Sequence, residues 1–283
     1  MHFPDIAVND WVVNFIDDSP VFFPFDHLKD TLRCFSDWPC WADLNALTAN
    51  NPQKMFTQSG MPIRFVPQIA GKPQNQEQQY ESRIYSTGNI PTRECNWHDF
   101  FNALVWQIFP ATKALLNQIH YQALQQEWLR NARERCALRD AATLFDESGV
   151  IVVSDRPSLL QLLKDFAWRE LFWQQRESVR NSMRFFVFGH GLYEKALKPY
   201  TGMTGKGLFF EVDAAFFAAS VPQQLSRIDA MLVSVLSQTI LRSSDLAPVP
   251  LLGYPGWVKE NDHEVYYENK QYFRDRHYFS ATS

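Results

Sequence analysis

The chain has 283 residues, 46% hydrophobic and 20% charged, which is enough apolar material for a large core and excludes global disorder. Its 27 Lys and Arg against 31 Asp and Glu leave a net charge of -4, the wrong sign for holding a phosphate backbone, so no nucleic acid is expected as the main partner. The opening MHFPDIAVNDW lacks a basic stretch followed by an apolar core, and no apolar run approaches the ~20 residues that span a bilayer. A soluble, cytoplasmic protein with no membrane partner is the expectation.

Four cysteines, Cys34, Cys40, Cys95 and Cys136, form no close-spaced ligand couplets, so reduced and mostly buried thiols are expected. Residues 1–70, rich in Pro, Trp and Phe, read as short helices joined by turns that wrap on a larger body. They belong to the same unit as the main α+β domain over 80–283, with the polar stretch Gly71 to Gln79 as an exposed loop between them.

From Asn96 the stretch NWHDFFNALVWQIFP predicts a helix capped by Asn96 and ended by Pro110, with Trp97, Phe100, Phe101, Leu104, Val105 and Ile108 on one face. A second helix is predicted from about Ala111 into Ala137, with Glu127, Arg130, Arg133, Glu134 and Arg135 solvating its far half. Thr143–Phe145 and Val150–Val153, separated by Asp146-Glu147-Ser148-Gly149, read as a β-hairpin. A helix capped by Ser154 or Asp155 follows, with Pro157 in its first turn and a helical period through Leu171. Met183–Phe188 and Leu208–Val212 read as strands around a helix starting near His190, and Ser220–Arg242 as a long closing helix. This pattern, without regular βαβ alternation, predicts an α+β class: a mostly helical single domain with a small, mostly antiparallel sheet.

Three local patterns carry chemistry. At 100° per residue the Asn96 helix places His98, Asp99, Asn102 and Trp106 opposite its apolar face, and a Trp within a polar stripe suits a cleft better than bulk water. The competing view is that Asp99 serves the helix N-terminus. In FGHGLYEK, His190 stands between two glycines that permit close backbone approach, with Glu194 four residues on, a spacing that suits a divalent metal or a base with its orienter. Glu194 and Lys198 also form an ordinary i, i+4 surface pair. Asp140 beside Arg139 is read as a buried carboxylate, whereas Asp146 and Glu147 are read as turn residues. Lys206, in TGMTGKG, lacks the Ser or Thr and the helix of a phosphate loop; Lys206, Arg93 and Lys113 remain as surface cations able to hold an anion.

The segments YESRIYSTGNIPTRECNWHDFFNALVWQIFPATKALLN, RDAATLFDESGVIV, FGHGLYEKALKPYTGMTGKGL and LLGYPGW resemble a bacterial family known as domain of unknown function 3025, over about Phe22 to Phe273. The resemblance implies one family-wide unit and no particular activity, cofactor or catalytic residue.

The residues point to an enzyme for a small anionic ligand, such as a metal-assisted hydrolase. His98, Asp99, Asp140 and His190 are the catalytic candidates; Arg93, Asn102, Trp106 and Arg139 are the substrate-binding ones; His98, Asp99, His190 and Glu194 are the candidate ligands of a divalent metal. The rival is a non-catalytic binding or assembly protein, docking a partner or forming a homo-oligomer through Tyr254, Trp257, Tyr266 and Tyr267.

Overall fold

A computed structural model describes residues 10–68, 71, 75–130, 136–238 and 242–275. The N-terminal part is short helices, as its composition predicts: α1 (Phe15–Asp18), a 3₁₀ segment (Pro20–Leu28), α2 (Lys29–Arg33) and α3 (Trp41–Asn50). Trp11 stacks on Trp97 at 5.1 Å and tilts against Trp38 at 5.2 Å, so this segment buries its rings on the first turn of a later helix. Strand β1 (Arg64–Pro67) and helix α4 (Tyr80–Thr87), both unforeseen, lead to β2 (Asn89–Thr92), which pairs with β1 in parallel.

Helix α5 (Trp97–Ile108) starts where the cap demands: the Asn96 side chain accepts from Asp99 N at 3.0 Å. Its predicted polar face is not solvated, because every residue from Phe100 to Ile108 is buried. Trp106 therefore belongs to the core, with Lys113 Nζ 5.7 Å from its ring centroid. Helix α6 (Pro110–Leu129) ends short of the predicted Ala137; Arg133, Glu134 and Arg135 lie outside the described residues.

Phe109, at the α6 N-cap, has no side chain able to cap. A later helix supplies the acceptor: Asp229 takes hydrogen bonds from Ala111 N (3.0 Å) and Thr112 N (2.8 Å). Burial raises the Asp229 carboxyl, against the lowering effect of those donors. Because the folded group titrates above its unfolded value of 3.8, its ionisation costs stability once pH passes the folded value, and that cost vanishes below the unfolded one. Asp229→Ala still loses two buried helix-terminal acceptors. It is expected to destabilise the chain by about 1–2 kcal/mol at pH 7, read as a lower denaturant midpoint.

The predicted hairpin is wrong. Thr143 to Ser148 continue α7 (Ala137–Ser148), whose Ala141, Ala142 and Phe145 form one buried face, and β3 (Gly149–Ser154) follows with no loop between. Helix α8 (Pro157–Lys164) stops before the predicted Leu171, at Phe166 with φ +59°; a π-helical turn (Glu170–Gln174) and α9 (Arg176–Ser182) follow. Strand β4 (Met183–Val187), α10 (His190–Ala196), β5 (Thr204–Glu211), α11 (Ala215–Ala218), α12 (Val221–Gln238) and β6 (Ala247–Pro250) complete the order.

The main sheet runs β4-β3-β5-β6, antiparallel at both outer pairs and parallel between β3 and β5. All six residues of β3 are buried, which is what a continuous GVIVVS run in a central strand provides. Strand β6 carries Pro248 and Pro250 and lies at the edge, where missing N–H groups break no ladder. The chain is a mostly helical α+β protein with small open sheets, and one hydrophobic cluster extends from Phe15 to Phe273. Among the described residues no helix is long and apolar enough to cross a membrane. All four cysteines are free, but Cys34, Cys40 and Cys95 are exposed and Cys136 is half-buried, contrary to the expected burial.

Candidate functional site

Three helices deliver the site. His98 is the second residue of α5, His190 the first of α10, and Glu147 lies in the last turn of α7. One turn on from each histidine, Phe101 stacks on Tyr193 at 5.7 Å, and Tyr193 Oη donates to Val187 O at 2.8 Å. The two histidines are thereby fixed relative to each other and to the sheet.

The expected glycine role beside His190 holds. A Cβ on Gly189 would lie 2.5 Å from Glu147 O and from Ser148 N, and one on Gly191 would lie 2.8 Å from Glu147 Oε2. Neither glycine needs an unusual φ; both are there so that α10 can meet the end of α7. Gly189→Ala forces a backbone clash and is expected to cost about 1–3 kcal/mol, measured by chemical denaturation.

The imidazoles meet through their Nε2 atoms, 3.0 Å apart. Glu147 Oε1 lies 3.7 Å from His98 Nε2 and 3.6 Å from His190 Nε2. The point equidistant from the three atoms is about 2.0 Å from each, a distance that would match the bond length of zinc to imidazole nitrogen and carboxylate oxygen.

Partners behind the cluster set the tautomers. His98 Nδ1 is 3.0 Å from Glu194 Oε2, an arrangement that places the proton on Nδ1 and leaves a lone pair on Nε2. His190 Nδ1 makes no hydrogen bond but faces the carboxylate of Asp146, with Oδ2 at 3.8 Å, which again favours the proton on Nδ1. Lys113 Nζ holds the other oxygen, Oδ1, at 2.6 Å, with its side chain only 6% exposed.

The hydrogen bond that His98 donates to Glu194 is the main cause of the raised His98 pKa. Burial drives His190 down to about 3, so it is neutral at ordinary pH. Burial works to raise Asp146, but Lys113 and His190 hold it below its usual value, whereas burial lifts Glu147.

These groups open on a polar cavity of about 400 Å³. Of the residues singled out in the sequence, His98, His190, Asp99, Asn102 and Arg93 line it. Glu194 lies behind His98. Asp99 is engaged by Arg93, which binds it through backbone N (2.7 Å), Nε (3.0 Å) and Nη2 (2.7 Å). Trp106 lies outside the cavity lining. Asp140 and Arg139 are also elsewhere, in the first turn of α7; Asp140 is exposed, and Arg139 Nη1 pairs with Glu127 Oε2 at 2.6 Å. At 1.5 Å per residue, Asp140 lies about 10 Å along the helix from Glu147.

Sequence reasoning read Glu147 and Asp146 as turn residues and Lys113 as a surface cation, and so placed none of them at this cluster. The signal available for the first two was the i, i+1, i+4 spacing of Ala141, Ala142 and Phe145, which continues a helix through them. It also missed Tyr80, whose hydroxyl accepts from Asn102 Nδ2 at 3.1 Å and so keeps its own proton to donate into the cavity. The residue as a whole is 42% exposed, but desolvation at its hydroxyl end, with Glu81, Asp146 and Asp99 nearby, raises that phenol above its usual value.

The four rings of the rival reading form no fully exposed patch, although Tyr254 and Trp257 line an open groove with Pro20, Phe23 and Arg184. Trp257 and Tyr267 are buried, Tyr254 and Tyr266 half-buried, and the hydroxyls of Tyr254 and Tyr267 donate to Met183 O (2.9 Å) and Gly253 O (3.1 Å).

Fold and site together define a mostly helical α+β protein in which two histidines and a carboxylate converge on a polar cavity. The chain belongs to the family DUF3025, described as proteins of unknown function, whose profile matches residues 63–277. No curated protein and no solved structure matches it.

Proposed function

We propose that the chain is a metal-dependent enzyme, a metal-assisted hydrolase of a small molecule, with His98, His190 and Glu147 as the ligands of a divalent ion. One observation carries this reading: two Nε2 atoms face each other at 3.0 Å, with one carboxylate oxygen of Glu147 3.6–3.7 Å from both, a spacing that a metal ion in place of the shared proton would satisfy. Three protein ligands leave coordination positions open to substrate and water, the pattern of catalytic zinc sites.

A divalent ion there supplies Lewis acidity to a substrate oxygen and acidifies water. The chain's own groups do the rest. Glu194 orients His98, Asp146 with Lys113 faces His190, and the Tyr80 hydroxyl is placed to donate to a developing negative charge. Cobalt(II) titration of chelator-treated protein tests the reading. One equivalent is expected to produce the strong visible bands of a low-symmetry cobalt site, and these are expected to be lost in His190→Ala. Protein that gives only the hexaaquo spectrum has a proton, and no metal, between its histidines.

A further inference from the structure

The anionic ligand expected from the sequence rests on Arg93 and Arg139, and neither is free to hold one: Arg139 pairs with Glu127 away from the cavity, and Arg93 is spent on Asp99. The lining carries four carboxylates, Glu81, Asp99, Asp146 and Glu147, against a single guanidinium. Behind the lining, Lys113 and Glu194 cancel. The surplus of negative charge therefore survives even after a divalent ion is added.

Two groups in this lining are left with acceptor capacity. Glu81 receives Asn117 Nδ2 on Oε2 at 2.7 Å, and among the described residues no Lys or Arg pairs with it. Asn102, 9% exposed, gives its Nδ2 to Tyr80, while its buried Oδ1 has no hydrogen-bond partner. An unsatisfied buried acceptor, and in the same cavity lining a carboxylate without a cationic partner, are costly unless a donor reaches them. A group with several N–H donors and a positive charge meets both needs.

We infer that this site takes a small substrate bearing a primary ammonium group, such as an amino-acid amide, with the ammonium held by Glu81 and Asn102 Oδ1. The inference rests on the metal-hydrolase reading above. In the reaction, water cleaves the bond between the carbonyl carbon and its leaving nitrogen. The hydroxyl ends on the carbonyl carbon and the proton on the departing amine. A cavity of about 400 Å³ suits a ligand of this size.

The test uses the full chain loaded with zinc, its metal content measured first, and a matched pair of chelating probes, alanine hydroxamate and N-acetylalanine hydroxamate, titrated by calorimetry at pH 7. The free-amine probe is expected to bind at least about tenfold more tightly, the size of one charge-assisted contact. Glu81→Gln, checked for an unchanged melting profile, is expected to erase most of that preference while leaving the acetylated probe unaffected. Equal affinities, tighter binding of the acetylated probe, or no binding of either to zinc-loaded protein overturns the ammonium assignment and leaves the metal site standing. Protein that takes up no zinc overturns the metal reading itself, separately from the choice of substrate.

Discussion

Protein purified without chelators is expected to carry close to one equivalent of divalent metal, and the His98→Ala, His190→Ala double variant none, as read by plasma mass spectrometry. The size of the effect follows from the geometry. Each imidazole presents Nε2 to the same point, so removing both leaves Glu147 alone, and a single carboxylate does not retain a divalent ion through purification. Single variants and outer partners should fall in order. Glu194→Gln keeps its place beside His98 Nδ1 but removes the negative charge, a change that costs about 10- to 100-fold in metal affinity. His98→Ala removes the ligand itself and is expected to cost more. If Glu194→Gln and His98→Ala retain metal as tightly as the parent, the triangle of 3.0, 3.6 and 3.7 Å edges is a proton-sharing network and not a metal site. Normal far-UV spectra and melting curves for the variants keep the comparison free of folding losses.

The elements that read correctly from sequence are those whose signals are local. Asn96 followed by an apolar period gave α5, and a Pro near the first turn gave α8 and α12. His98, His190 and Glu194 stood out on the same footing, as unusual residues in well-marked helices. Glu147 did not, because Asp146-Glu147-Ser148-Gly149 has the composition of a turn. What keeps it helical is tertiary: Phe145 stacks on Phe188 at 4.8 Å, and Gly149 enters the sheet directly. Lys113 illustrates the same limit. No local pattern reveals that this one lysine in α6 is buried over Trp106 and paired to Asp146. The error with Asp140 and Arg139 follows from the false hairpin, since the continuous helix places them at its opposite end from the site. Charge misleads in the same way: Arg93 reads as an anion ligand in sequence, but its guanidinium is paired with Asp99, six residues on.

Phe101→Ala is expected to lower stability by about 3–5 kcal/mol and to weaken metal binding without touching a ligand. Phe101 is fully buried, stacking on Tyr193 (5.7 Å), Phe22 (5.6 Å) and Trp97 (5.5 Å), so it joins α5 to α10 and to the N-terminal segment at once. Losing the ring leaves a cavity one turn from both His98 and His190. The helices then close on that cavity or slip past each other, and either movement alters a spacing that the ion requires to within a few tenths of an ångström. Phe172→Ala separates the two consequences. That ring is equally buried but packs against Trp168, Phe185 and Tyr267, so its loss is expected to cost similar stability while metal affinity, measured well below the melting transition, stays at the parent value. Equal losses of affinity in the two variants would mean that the ion responds to global stability. A loss confined to Phe101→Ala would mean that the aromatic layer between α5 and α10 sets the distance between the two imidazoles.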